Sequence, residues 1–397
     1  MRKLDEDAYR RLSSRTRLVL GGRNPEEQFG FVNTPVYRGS TVLAPDAATL
    51  RRGDARFTYG THGTPTTEAL ERAWSELCGA AGTCLTPSGL AAITLALMSC
   101  VKAGDHILVT DSAYRPTRRF CDTVLARMGV ETTYYDPRLG GDIAGLVRPN
   151  TTAVLVEAPG SQSFEVQDVP AIAAAAHAAG ALVLMDNTWA TPLFFPPHAR
   201  GVDLAIEAGT KYLGGHSDLL LGLVSANERA LPALRRTAEA FAMCAGPEDC
   251  FLALRGLRTM ELRLREAERQ GLALARWLEK RPEVKAVLHP ALESHPDHAI
   301  WKRDFLGSSG LFSVVLQPAP DAAVDAMLDE LALFGLGYSW GGFESLVIPF
   351  NCASYRTATT WNPGGPTLRF QVGLEDIDDL TADLERGFAR FREVAGL

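Results

Sequence analysis

Leu182-Val183-Leu184-Met185-Asp186-Asn187-Thr188-Trp189 and, further along, Leu204-Ala205-Ile206-Glu207-Ala208-Gly209-Thr210-Lys211-Tyr212 decide how this chain folds. Each is a short, largely apolar run that ends abruptly in polar residues and glycine. Runs of that length without regular polar alternation suit strands buried on both faces, as in a parallel sheet. In open α/β sheets the carboxyl ends of such strands line the ligand crevice. The first run delivers a carboxylate, Asp186, to that edge, and the second delivers an amine, Lys211, set among glycine and apolar residues.

The same pattern spreads outward. Strands are expected at 83–85, 107–110, 132–135 and 153–157, separated by helical spacing over 90–101, 117–128 and 171–179. Leu70, Ala73, Trp74 and Leu77 mark an earlier helix capped by Thr66 or Thr67. Repeated β-α-β units predict an α/β class with a mostly parallel sheet covered on both faces. From Pro247 to about Lys280 a long amphipathic stretch, with Leu257, Leu264, Leu274 and Leu278 on its apolar side, reads as one helix joining two domains. Beyond it, strands at 284–287, 311–316 and 368–372 and a helix at 322–333 predict a smaller α+β C-terminal domain. The Gly-, Pro-, Arg- and Thr-rich beginning reads as an extended arm. The expected division is therefore an arm over 1–60, a large domain over 61–255 and a C-terminal domain over 256–397.

Bulk properties exclude several functions. A chain of 397 residues, 46% hydrophobic and 22% charged, suits a globular protein with more than one core. A net charge of -7 without any long basic run argues against nucleic acid as a partner. The apolar stretches fall short of the roughly 20 residues a membrane span requires, so no membrane partner is expected. The opening Met1-Arg2-Lys3-Leu4-Asp5-Glu6-Asp7 alternates charge and lacks the apolar core of a secretory leader. Seven cysteines without C-x-x-C spacing read as reduced thiols, and a cytoplasmic location is expected. The eight histidines show no H-E-x-x-H pattern; His295 and His298 flank a polar turn, and no metal is expected.

Two constellations carry chemistry. Thr86-Pro87-Ser88-Gly89-Leu90 ends a strand and opens a helix, where unpaired N–H groups and the helix dipole favour an anion. An ordinary strand-to-helix turn reads the same way. Asp186 and Lys211 form the second. Partial burial would depress the lysine below its free value of about 10.4, favouring the neutral amine that condenses with a carbonyl. A carboxylate beside it could hold a pyridine nitrogen protonated, which makes such a ring an electron sink. A structural ion pair closing neighbouring strand ends is the other reading of the same spacing.

Glu207-Ala208-Gly209-Thr210-Lys211-Tyr212-Leu213-Gly214-Gly215-His216-Ser217-Asp218 resembles the cofactor-lysine signature of the Cys/Met-metabolism pyridoxal-phosphate enzymes, and so does Asp186-Asn187-Thr188-Trp189-Ala190. The likeness runs from Thr16 almost to the C-terminus. It includes Tyr59-Gly60-x-x-Gly63-Thr64, Ala113-Tyr114-x-Pro116, the run Ser308-Ser309-Gly310-Leu311-Phe312-Ser313, Tyr338-Ser339-Trp340-Gly341-Gly342 and Gly373-Leu374-Glu375-Asp376. It implies a fold-type I, aspartate-aminotransferase-like architecture with pyridoxal 5'-phosphate as cofactor. It further implies that Lys211 binds the cofactor and moves protons, that Asp186 pairs with its pyridinium, and that Tyr114 stacks on its ring. Ser88, Gly89, Leu90 and Thr210 would hold its phosphate. Arg369 would clamp the substrate α-carboxylate; the residues alone read it as a surface position on a strand. Ser339 would position Lys211, with Trp340 shaping the carboxylate pocket. Tyr59 would reach in from an adjacent subunit, which implies a homotetramer, a dimer of dimers with shared sites.

The implied reaction is β-elimination of cystathionine, a small amino-acid substrate, in trans-sulfuration and methionine biosynthesis. Tyr338, where γ-acting relatives tend to be acidic, favours β-elimination. Many relatives carry arginine where Thr61 stands, followed here by His62. His62, Arg115 or Arg119 are then the candidates for the missing charge, and cystathionine recognition is less specified than the cofactor chemistry. A broader cysteine or cystine lyase, a γ-acting relative and a non-catalytic cofactor-binding regulator are the alternatives.

Overall fold

The computed structural model describes residues 5–396. Seven strands form the larger sheet: β1 (Gly82–Thr86), β2 (His106–Thr110), β3 (Glu131–Tyr135), β4 (Thr151–Glu157), β5 (Leu182–Asp186), β6 (Leu204–Ala208) and β7 (Gly222–Ala226), in the order β1-β7-β6-β5-β4-β2-β3. All neighbours are parallel except β7, which runs antiparallel to both β1 and β6. The six strands expected from the apolar runs are present. β7 is an addition: its five residues enter the sheet as a return stroke directly after the Lys211 loop.

The side chains of these strands alternate between two cores. Val154 and Val156 of β4, with Val183 and Met185 of β5, join a core that also holds Trp74 and Phe164. Ala153, Leu155 and Leu184 point the other way, onto Ile93 and Leu97 of helix Gly89–Met98. Covering both faces is the physical reason for the continuous apolar runs.

The single helix expected from Pro247 to Lys280 is two, Pro247–Leu257 and Met260–Leu278. The break has a tertiary cause. Gly256 packs so closely that a Cβ there would lie 2.1 Å from the Leu213 carbonyl oxygen. Arg263 then donates to the carbonyls of Tyr212, Leu213 and Gly256, closing the end of the first helix.

A second sheet follows, with β8 (Val284–Leu288), β9 (Leu311–Leu316), β10 (Gly335–Leu336), β11 (Leu346–Phe350) and β12 (Thr367–Gln371) in the order β10-β11-β12-β9-β8. Helices Asp321–Glu330 and Ile377–Ala395 cover it around Phe312, Phe370, Phe388 and Phe391. Two bonds bring it against the larger sheet: Trp189 Nε1 donates to the Leu311 carbonyl at 2.9 Å, and Ser313 Oγ donates to the Gln162 carbonyl at 2.7 Å. They set β12 opposite the carboxyl ends of β4 and β5. Among the described residues no helix is long and apolar enough to cross a membrane, and no cluster of histidine, cysteine and carboxylate side chains is arranged to hold a metal.

Candidate active site

The carboxyl ends of β4, β5 and β6 open into a cavity of about 290 Å³. Asp186, the last residue of β5, faces it. Its Oδ1 accepts from the Thr188 backbone N–H at 3.1 Å and from the Thr188 hydroxyl at 2.6 Å. Thr188 Oγ1 in turn accepts from the Ala208 N–H, tying β5 to β6. Burial raises the Asp186 carboxyl, opposed by the two Thr188 donors and the Lys211 charge.

Lys211 lies just past β6. Its Nζ donates to the Ser339 hydroxyl and sits 5.3 Å from the centre of the Trp340 ring. Burial, reinforced by the nearby Arg369 charge, lowers the amine to about 8. A lysine that partly neutral near pH 8 is a competent nucleophile. Ser339 holds this amine from a left-handed backbone, φ +82°, a conformation that a non-glycine residue adopts at a cost.

Arg369 on β12 closes one wall. It is only 8% exposed, and Nη2 donates to the Ser339 carbonyl at 3.0 Å, while Nε has no partner. Burial lowers it to about 10. A buried guanidinium that forms no ion pair with a carboxylate among the described residues is built to receive an anion, and a bidentate carboxylate matches its fork.

Helix Gly89–Met98 supplies the opposite wall. The Ser88 hydroxyl caps it by accepting from the Ala91 N–H at 3.1 Å. The N–H groups of Gly89 and Leu90 have no acceptor within the helix, as first-turn geometry requires. A Cβ on Gly89 would come 2.6 Å from the Ala208 Cβ, so only glycine lets the turn sit against β6. Thr210 lines the same cavity, but its hydroxyl already donates to the Leu221 carbonyl at 3.3 Å and accepts from the Leu221 N–H at 3.1 Å. Tyr114 and Tyr338 complete the mouth, the latter 88% exposed.

The candidates Ser88, Gly89, Leu90, Tyr114, Asp186, Thr210, Lys211, Tyr338, Ser339, Trp340 and Arg369 therefore surround one space. Tyr59 does not. It is exposed in the arm, bridged to Thr41 and set edge-on to His62. His62 bonds Thr58, and Arg115 stacks over Tyr355; neither they nor Arg119 line the cavity. Arg369 is a buried residue where the sequence alone suggested a surface one, because β12 is the central partner of both β9 and β11. Sequence reasoning missed Glu157. It ends β4 in register with Asp186 and lines the cavity, and the rule that singled out Asp186 applies to it equally.

The donor set fits pyridoxal phosphate. The close-packed Gly89 turn offers free N–H groups to a phosphate, Asp186 offers a carboxylate to a ring nitrogen, Lys211 an amine to an aldehyde, and the unpartnered Arg369 Nε a donor to the substrate carboxylate.

Known proteins resemble this chain along most of its length. Residues 15–389 match the family model described as Cys/Met metabolism PLP-dependent enzyme. Cystathionine beta-lyase of Salmonella typhimurium is 42% identical, covering 94% of this chain and 98% of its own. Cystathionine beta-lyase MetC of Escherichia coli is 41% identical over the same shares. The crystal structure of cystathionine gamma synthase from Xanthomonas oryzae pv. oryzae, in complex with aminoacrylate and cysteine, superposes with a TM-score of 0.89 at 30% identity, covering 96% of this chain and 99% of that one.

Proposed function

The chain belongs to the Cys/Met metabolism PLP-dependent enzymes, and from that premise we propose that it is a cystathionine β-lyase, a carbon–sulfur lyase converting cystathionine and water to homocysteine, pyruvate and ammonia. One observation carries the reading: a lysine amine lowered to about 8 shares a cavity with the Asp186 carboxylate and with a buried arginine whose Nε is unpartnered.

Pyridoxal phosphate, when bound, supplies a protonated aromatic ring that takes up the electron pair left at Cα. The chain's own groups do the rest. Asp186, oriented by Thr188, would keep the ring-nitrogen proton in place. Gly89 and Leu90 would hold the phosphate through N–H groups, with Ser88 fixing the turn, and Thr210 shapes that end by anchoring Leu221. Lys211 would hold the cofactor through Nζ, take the proton from Cα and hand one to the departing sulfur. Ser339 holds Nζ, and Tyr114 would pack over the ring. Arg369 receives the α-carboxylate and orients the Cα–H bond, with Trp340 and Tyr338 bounding the same end.

The finer assignments are part of the proposal. We read the chain as an arm over 1–60, a large domain over 61–255 and a smaller one over 256–397, which the helix break at Arg258-Thr259 supports. The arm leaves Phe29 at 95% and Leu43 at 87% exposure, which supports a homotetramer of two dimers in which Tyr59 enters a neighbour's site. A cytoplasmic role in trans-sulfuration and methionine biosynthesis accords with free cysteines. A broader cysteine or cystine lyase is the second reading. For cysteine it draws on the cavity itself, where among the described residues Lys211 and Arg369 are the only basic side chains, leaving none for a distal carboxylate, which cystathionine and cystine carry and cysteine lacks.

Replacing Lys211 with Ala should abolish both the visible band of the bound cofactor and product formation, a loss of about a thousandfold or more. Turnover with the band intact in that variant would refute the assignment. Release of 2-oxobutyrate instead of pyruvate from cystathionine would move the reaction to Cγ. The pH dependence follows from the lowered amine. It is protonated below about 8 and neutral above, so capture of cofactor by the apoprotein should speed up as pH rises and level off past about 8. A rise continuing to the ordinary lysine range of about 10.4 would contradict it.

A further inference from the structure

Glu157, Asp186 and Glu207 are carboxylic acids on three adjacent strands, β4, β5 and β6, near the carboxyl edge. Their donors and neighbouring charges rank them. Asp186 receives two donors, both from Thr188, and has the Lys211 amine near it. Glu157 also takes two donors, the Tyr114 N–H at 2.7 Å on Oε2 and the Ser161 hydroxyl, but it has the Asp186 charge beside it where Asp186 has the Lys211 amine. Glu207 is 2% exposed, and neither of its oxygens has a partner. A carboxylate's charge settles where donors and cations are most numerous, and neighbouring acids then remain protonated.

We propose that Glu157 is a positioning residue that stays neutral, anchoring the Tyr114 backbone at the cavity mouth and leaving Asp186 as the one carboxylate charge at the strand edge. The proposal rests on the reading of this cavity as the cofactor site. Two geometric facts support it. Glu157 is paired in register with Asp186, so ionising both would set like charges side by side on neighbouring strands. The Tyr114 N–H lies at the start of helix Arg115–Phe120, where Pro116 follows and no side chain caps the turn, so Glu157 is the group that fixes this tyrosine. Burial and the Asp186 charge both push the Glu157 carboxyl upward. The titratable groups around it are Asp186 on β5, Tyr114 after β2, Lys211 after β6 and Arg369 on β12, all on the same cavity. In its neutral form Glu157 accepts from Tyr114 on one oxygen and carries a proton on the other.

The test compares Glu157→Gln with Glu157→Ala. Glutamine keeps a neutral acceptor and a donor; alanine removes both. Apoprotein of each is titrated with pyridoxal phosphate, following tryptophan fluorescence for affinity and the visible band for its pH midpoint. The glutamine protein should match the parent in both. The alanine protein should bind the cofactor about tenfold more weakly, the effect of an orphaned buried N–H and a loosened ring platform. If glutamine lowers the pH midpoint by about a unit, a charge was removed and Glu157 was ionised, which overturns its neutrality. If alanine binds the cofactor as tightly as the parent, the anchoring role is wrong. Should the alanine protein fail to fold, the glutamine midpoint still decides the charge. A parent protein that forms no visible band fails the cofactor reading itself, a result distinct from either.

Discussion

The strand edge around Asp186 and Lys211 and the arm over residues 1–60 solve opposite problems. At the edge one chain supplies nearly everything: Thr188 orients Asp186, Ser339 holds Lys211, and the Ser339 carbonyl takes one end of Arg369. What is left over there is specific, a guanidinium nitrogen without an acceptor and a helix turn with free donors. Among its described residues the arm has only short helices at Glu6–Arg10, Ser14–Leu20, Pro25–Gln28 and Ala47–Arg52, one bridge between Thr41 and Tyr59, and large apolar side chains facing outward. A polar leftover inside a cavity calls for a small ligand; an apolar leftover on the surface calls for protein.

That contrast can be broken at either end. The largest effect should come from Arg369→Leu, which leaves the α-carboxylate without its buried cation. kcat/KM should fall about a hundredfold or more, while cofactor affinity stays near that of the parent. A comparable loss of both would mean that Arg369 supports the cofactor end instead. Next comes Gly89→Ala. Its Cβ would meet Ala208 at 2.6 Å and push the turn away, weakening the cofactor about tenfold; unchanged affinity in a fluorescence titration would remove the turn from the phosphate site. The smallest change is expected from Leu43→Ser in the arm. Subunit dissociation, followed by sedimentation, should rise about fivefold, with the isolated fold and its melting unaffected. A protein that sediments as a monomer before and after that change would show the arm to be self-sufficient.

Much of the edge was legible because its signals are local. β2, β4, β5 and β6 are mostly apolar runs, and Asp186 and Lys211 follow directly from where two of those runs end. β7 was not legible: Gly222-Leu223-Val224-Ser225-Ala226 is no shorter than β5 or β6, but its place and reversed direction are set by pairing with β1 and β6. The helix break at Arg258-Thr259 was hidden because apolar periodicity continues across it. Contact between Gly256 and the Leu213 carbonyl, made by chain distant in sequence, interrupts it. Glu157 shows a different failure, since its position was readable by the Asp186 rule and only its partner, the Tyr114 N–H, reveals what it touches.

From the amino-acid order alone came the α/β class, the carboxylate and amine at neighbouring strand ends, and the turn at Ser88-Gly89. Periodicity, strand length and helix entry are short-range properties written within a few residues. Tertiary structure decided that Arg369 is buried, that Ser339 from the second sheet meets Lys211, that Thr210 spends its hydroxyl on Leu221, and that Tyr59 lies outside the cavity of its own chain. Those contacts join segments far apart in the chain, and their desolvation and charge coupling exist only once the two sheets have closed on each other.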